Sequence, residues 1–78
     1  MKLQKFVNKS ILITGGTGSL GQALTRRLLD YNVKTVRVLS RNESKQVEMK
    51  SKFNDDRIRY LIGDIRDLPR LVRAMEGI

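Results

Sequence analysis

Along the chain, short apolar runs alternate with stretches in which apolar residues recur every three or four positions. Ile11-Leu12-Ile13, closed by Thr14, is the kind of continuous run expected of a parallel strand buried on both faces. From Ser19 to Tyr31, Leu20, Ala23, Leu24 and Leu28 fall at helical spacing while Arg26, Arg27 and Asp30 turn away, which predicts a first helix. Thr35 to Leu39 is rich in β-branched residues and predicts a second strand, with Arg37 as its discordant member. Glu43 to Phe53 predicts a polar helix with Val47, Met49 and Phe53 as its apolar positions and Asn42 as its cap. Ile58 to Ile62 predicts a third strand, ended by Gly63. Asp67 as N-cap, Pro69 in the first turn, and Leu68, Leu71, Val72 and Met75 at i, i+3, i+4 and i+7 predict a third helix that Gly77 closes.

The order strand-helix three times over, with short connections, predicts an α/β fold with a parallel sheet and a single domain over residues 1–78. Right-handed crossovers lay the strands in spatial order 3-2-1 with the first two helices on one face and the third on the other. That is a three-layer, Rossmann-type half fold, one mononucleotide-binding unit of the complete arrangement. In this order the first strand lies at an edge with unpaired N–H and C=O groups, so the expected association is self-pairing along that strand or exchange of the third helix.

Between the first strand and the first helix lies Thr14-Gly15-Gly16-Thr17-Gly18-Ser19-Leu20-Gly21. A glycine-rich turn opening a helix aims backbone N–H groups and the positive end of the helix dipole at an anion, which suits phosphate. A nucleoside-triphosphate loop requires Lys and then Ser or Thr after its last glycine, and here Gln22-Ala23 follows Gly21. The dinucleotide fingerprint G-x-G-x-x-G does match, at Gly16, Gly18 and Gly21, between a strand and a helix as it must. Gly15 is expected to make the tight turn, Gly18 to admit the pyrophosphate, and Gly21 to let the helix approach the sheet. The Thr17 and Ser19 hydroxyls and the backbone through Leu20 add donors. The competing reading is a glycine-rich turn with no ligand.

At the end of the second strand, where an NAD site places an acidic residue on the ribose, the chain has Ser40-Arg41-Asn42. Arg41, with Lys45 one turn into the next helix, suits a 2′-phosphate, so the expected cofactor is NADP rather than NAD; otherwise Arg41 is an ordinary surface arginine. At the end of the third strand, Asp64 either accepts from an adenine amino group, with the Ile65 backbone flanking the ring, or caps a turn.

Composition narrows the partners. The chain has 78 residues with no cysteine and no histidine, so disulfides, thiolate sites and the usual zinc ligands are excluded. A domain this small buries only about 60% of its unfolded surface and gains from a ligand or partner. No apolar run approaches a membrane span and the opening MKLQKF lacks a signal-peptide core, so no membrane role is expected and the compartment is read as cytoplasmic. The net charge of +8 favours anionic partners. Nucleic acid is disfavoured, because the basic residues are scattered from Lys2 to Arg73 and the two tyrosines and two phenylalanines do not interleave with them.

The segments TGGTGSLG, LSRNESKQ, KFNDDRIRYLIGDIRDLPRL and AMEGI together resemble the amino-terminal part of extended short-chain dehydrogenase/reductases. More narrowly they resemble the inverting UDP-N-acetylglucosamine 4,6-dehydratases of polysaccharide biosynthesis and flagellin glycosylation. The resemblance implies pyrophosphate contacts at Thr17 to Leu20, 2′-phosphate contacts at Arg41 and Lys45, and adenine contacts at Asp64 and Ile65. It also implies a lyase reaction for a complete relative: NADP takes hydride from C4 of the hexose, water leaves across C5 and C6, and hydride returns to C6. Such enzymes use a Tyr-x-x-x-Lys pair as base. Tyr31 is followed four positions on by Thr35 and Tyr60 by Asp64, so no catalytic residue is assigned and the nucleotide sugar is expected to bind only to a full-length parent. The expected role is that of the NADP-binding amino-terminal fragment of such a dehydratase. The alternatives are a non-catalytic dinucleotide-sensing module and a basic nucleic-acid-binding domain.

Overall fold

Among the described residues six elements follow one another in the expected order: β1 (Ser10–Thr14), α1 (Ser19–Leu29), β2 (Thr35–Ser40), α2 (Glu43–Phe53), β3 (Ile58–Ile62) and α3 (Leu68–Ala74). The structure, a computed structural model, describes residues 6–78. Lys2 and all but the last residue of the MKLQKF opening lie outside the described residues. The strands are parallel in the order β1-β2-β3, with Ile13 beside Val38 and Val38 beside Tyr60.

Because β2 is the central strand, its side chains are enclosed on both faces: Val36, Val38 and Leu39 are all buried. Val36 and Val38 join Ile13, Ile58, Leu28 of α1 and Met49 of α2 in one core, so the first two helices share a face. Arg26 of α1 lies over the Phe53 ring of α2, 5.1 Å from its centroid, and adds a cation–π contact between them. Strand alternation turns Arg37 and Leu39 to the opposite face, where α3 lies. There the Arg37 guanidinium donates to the Ala74 carbonyl at 2.9 Å and to that of Glu76. The residue that looked out of place in a strand thus satisfies carbonyls at the end of a helix, which have no partner of their own.

Asn42 and Asp67 cap their helices as expected, accepting from the backbone N–H of Lys45 and Arg70. Gly77 follows α3 with φ +80, in the left-handed region. Elsewhere the burial departs from the apolar pattern. The first strand is not enclosed on both faces: Ile11 and Leu12 are only half-buried, because β1 is an edge of the sheet. The first helix ends at Leu29 rather than Tyr31, and Leu20 and Ala23 are exposed while Thr25 is fully buried. The Thr25 hydroxyl donates to the Gly21 carbonyl at 2.8 Å, which removes the cost of burying it. In α2 it is Gln46 rather than Val47 that faces inward, its Nε2 donating to the Leu61 carbonyl at 2.8 Å. In α3 the seat is Ala74, with Leu71 half-buried, and Leu68, Val72 and Met75 stay exposed.

The α2–β3 loop is tied to the end of α1 by Arg57. Its guanidinium grips both Asp55 carboxylate oxygens, at 3.1 and 2.9 Å, and donates to the Leu29 carbonyl at 2.9 Å. These hydrogen bonds from Arg57 hold the Asp55 carboxyl below its usual pKa.

Arg37→Met is expected to lower stability by about 1 kcal/mol, a fall of roughly 4–8 °C in Tm for a chain this small, read by thermal denaturation. The lowered pKa of Asp55 stabilises the fold at pH values above its ordinary one, and that contribution disappears as pH falls through the folded-state value. Asp55→Asn is therefore expected to lower stability at neutral pH and to flatten its decline below about pH 4, as measured by urea unfolding across a pH series.

Candidate functional site

All three parallel strands end at the same edge of the sheet, and the loops that leave them enclose an open cleft of about 1050 Å³. Its walls are the loop between β1 and α1, the turn from β2 into α2, and the turn from β3 towards α3. This is the crevice at the carboxyl ends of parallel strands where open α/β sheets bind ligands.

The first wall is built almost without side chains. Gly15 extends the sheet by donating to the Leu39 carbonyl at 2.9 Å, then reverses the chain with φ +64. Gly18 N–H closes the turn onto the Gly15 carbonyl at 3.2 Å, and Gly18 itself is the N-cap of α1, with no side chain capping the helix. The first N–H groups of α1 therefore have no side-chain acceptor and form the positive end of the helix dipole next to Gly18, which lines the cleft. A Cβ on Gly21 would lie 2.4 Å from the Gly16 Cα, and one on Gly16 would lie 2.7 Å from a Val38 methyl. Gly21 thus lets the helix meet the loop backbone directly. A Cβ on Gly18 would meet only the Gly15 carbonyl, at 3.6 Å, which leaves room on that side for a ligand.

The two hydroxyls of the loop differ. Thr17 turns inward and is buried, its Oγ1 3.1 Å from the Ser40 Oγ at the end of β2, while its carbonyl accepts from Gln22 Nε2 at 2.8 Å. Ser19 and Leu20 are exposed but do not line the cleft, whose lining on this loop ends at Gly18. Ser40 was not among the residues singled out from the sequence, yet it ties the first two walls together, since its Oγ also accepts from the Asn42 N–H at 3.0 Å. The signal was a lone hydroxyl at the carboxyl end of a β-branched strand.

On the second wall the Asn42 side chain is used as the α2 cap, accepting from the Lys45 N–H at 3.0 Å, so the groups that face the cleft are Arg41 and Lys45, with Glu43 beside them. The Arg41 side chain keeps 70% of its exposure. On the third wall Asp64 forms the turn, accepting the Arg66 N–H on Oδ1 at 2.9 Å. The Arg66 guanidinium grips the same carboxylate, with Nη2 2.7 Å and Nε 3.1 Å from Oδ2, and Arg41 Nη1 approaches Oδ2 from across the cleft at 3.5 Å. Hydrogen bonding from Arg66, more than the charge of Arg41, holds the Asp64 carboxyl far below the usual carboxylate range. Ile65 presents a half-exposed apolar surface beside it.

The structure brings Gly15, Thr17, Gly18, Arg41, Asn42, Lys45, Asp64 and Ile65 into one cleft, while Ser19, Leu20 and Gly21 do not line it. Arg66 is the addition that sequence reasoning missed. The lining offers backbone donors, cations and an apolar shelf, which is an inventory for holding an elongated anionic ligand. Neither Tyr31 nor Tyr60 lines it. Among the described residues there is no cluster of metal-ligating side chains and no helix long and apolar enough to cross a membrane.

Residues 11–78 match the family model described as "Polysaccharide biosynthesis protein". Over 74 residues the chain is 50% identical to the inverting UDP-N-acetylglucosamine 4,6-dehydratase of Campylobacter jejuni, covering 94% of this chain and 22% of that enzyme. It is 40% identical over 77 residues to the UDP-glucose 4-epimerase of Rickettsia prowazekii, covering 94% and 23% respectively. The chain thus spans about a fifth of the length of these relatives. Among solved structures, Pen from Bacillus thuringiensis superposes with a TM-score of 0.89 at 46% identity, covering 94% of this chain and 22% of that one. The Bordetella bronchiseptica enzyme WbmF, solved in complex with NAD+, shares the fold with a TM-score of 0.72 at 22% identity, over 94% of this chain and 22% of that one. With the match extending from β1 through the glycine loop and both polar walls to α3, the chain belongs to the polysaccharide biosynthesis protein family of short-chain dehydrogenase/reductases.

Proposed function

We propose that this chain is the NADP-binding segment of a nucleotide-sugar 4,6-dehydratase, a cytoplasmic lyase acting on a UDP-N-acetylhexosamine. The observation that carries the cofactor reading is the uncapped start of α1 above the Gly15–Gly18 turn, opening into a cleft whose second wall bears Arg41 and Lys45. Backbone N–H groups of the first turn take the pyrophosphate, with Ser19 and Leu20 at its entrance. Arg41 and Lys45 take the 2′-phosphate, and Asp64 and Ile65 border the adenine. Bound there, the cofactor supplies hydride exchange with the sugar; the part of this chain is to hold and orient it. The dehydratase reading is supported by the 50% identity to the Campylobacter jejuni enzyme. A UDP-glucose 4-epimerase is the second reading, supported by the Rickettsia prowazekii relative. We also propose that the outer edge of β1, with Ile11 and Leu12 half-buried beside it, pairs with a second copy of the chain.

Calorimetric titration is expected to show tighter binding of NADP than of NAD, with Arg41→Ala reducing the preference about tenfold. Equal affinities in the unaltered protein would remove the 2′-phosphate assignment. Because a phosphate monoester loses its second negative charge below about pH 6, the preference is expected to shrink between pH 7 and 5 while NAD affinity changes little. Sedimentation at tens of micromolar is expected to show dimers; a monomer there would overturn the β1 pairing.

A further inference from the structure

Arg66 is given no cofactor role in the sequence reading, yet its guanidinium is held by more hydrogen bonds than any other cation lining the cleft. Asp64 receives it through Nε and Nη2, at 3.1 and 2.7 Å from Oδ2, and fixes its backbone as well. These contacts leave Nη1 without a partner among the described residues, and the side chain retains 78% of its exposure. The same Oδ2 lies 3.5 Å from Arg41 Nη1, so one carboxylate sits between two guanidiniums that come from different walls. The ionisable groups lining the cleft are Arg41, Lys45 and Arg66 against Glu43 and Asp64. Without Arg66 the side-chain cations and carboxylates lining the cleft would balance, and only the start of α1 would favour a dianion.

We propose that Arg66 is a third cationic contact for the 2′-phosphate, and that Asp64 is the positioning residue that holds Arg66 and Arg41 on either side of it. This rests on the dinucleotide reading above and adds to it the group that makes the cleft net positive. A planar guanidinium pinned by a carboxylate loses little freedom when its remaining N–H groups engage a phosphate oxygen. Lysine in its place would keep the charge but not the two-point grip on Asp64.

The test is calorimetric titration of the unaltered protein, Arg66→Gln and Arg66→Lys with NADP and with NAD, together with NMR observation of the Arg66 Nε–H. Arg66→Gln is expected to weaken NADP about tenfold and NAD less than twofold, with Arg66→Lys in between. The Arg66 Nε–H signal is expected to shift when NADP is added and to stay in place with NAD; in Asp64→Asn it should broaden or shift before any cofactor is present. Equal weakening of both cofactors by Arg66→Gln would make Arg66 a contact for the shared adenosine and overturn the proposal. So would no weakening of either, which would leave it a partner of Asp64 alone. If the unaltered protein binds both cofactors, those results sink only the role of Arg66. If it binds neither, the dinucleotide reading falls and this proposal falls with it.

Discussion

Two glycines in contact set the geometry on which the site depends. At Gly21 a Cβ would stand 2.4 Å from the Gly16 Cα, nearer than real side chains approach a backbone atom, and at Gly16 it would press within 2.7 Å of Val38. With neither Cβ present, the helix meets the loop backbone to backbone at Gly21 and Gly16, and the loop seats on the Val38 and Ile13 side chains of the sheet. The first turn of the helix therefore starts from Gly18, on the lining of the crevice, with its N–H groups uncapped by any side chain. The same turn is braced from inside by the Thr25 hydroxyl on the Gly21 carbonyl and by Gln22 on the Thr17 carbonyl. Moving the helix out by the width of a methyl group would separate the donors from the cleft and open the core around Val38.

The second constraint is charge. The chain carries +8, and among the described residues only three ion pairs form, two of them at Asp64. Most of the basic charge is thus dispersed over solvated surfaces, where it raises the general potential without building a site. At the cleft the arrangement differs in kind, because Asp64 organises opposed cations instead of neutralising one. The Asp55–Arg57 pair does structural work by contrast: it closes a loop and fastens it to the Leu29 carbonyl, away from the cleft.

How much of this was readable in the chain depends on whether the signal is local. Strand positions followed from short apolar and β-branched runs and helix positions from period, apart from the end of α1, and the caps at Asn42 and Asp67 from side chains that act within three residues. Period locates an apolar face but does not say which neighbouring position faces inward. Leu20 and Ala23 proved exposed where Thr25 is buried, and Val47 proved exposed where Gln46 is buried. In both helices a polar side chain won the inner position by reaching a carbonyl there, Thr25 in its own helix and Gln46 on β3. In the cleft, the glycine turn, Arg41, Asn42, Lys45 and Asp64 stood out by their offsets from the strand ends. Ser40 did not, because its role comes from Thr17, 23 positions away in sequence.

The sequence by itself determined the order of elements, the parallel topology, the glycine-rich turn between β1 and α1 and the absence of cysteine and histidine, since each of these rests on residue type or short-range spacing. Tertiary structure alone decided that Arg37 fastens α3, that Thr17 turns inward to Ser40, and that Arg41 and Arg66 face each other across Asp64. These contacts join residues brought together only when three strand ends align at one edge of the sheet, and no local spacing encodes where a long side chain finds its partner.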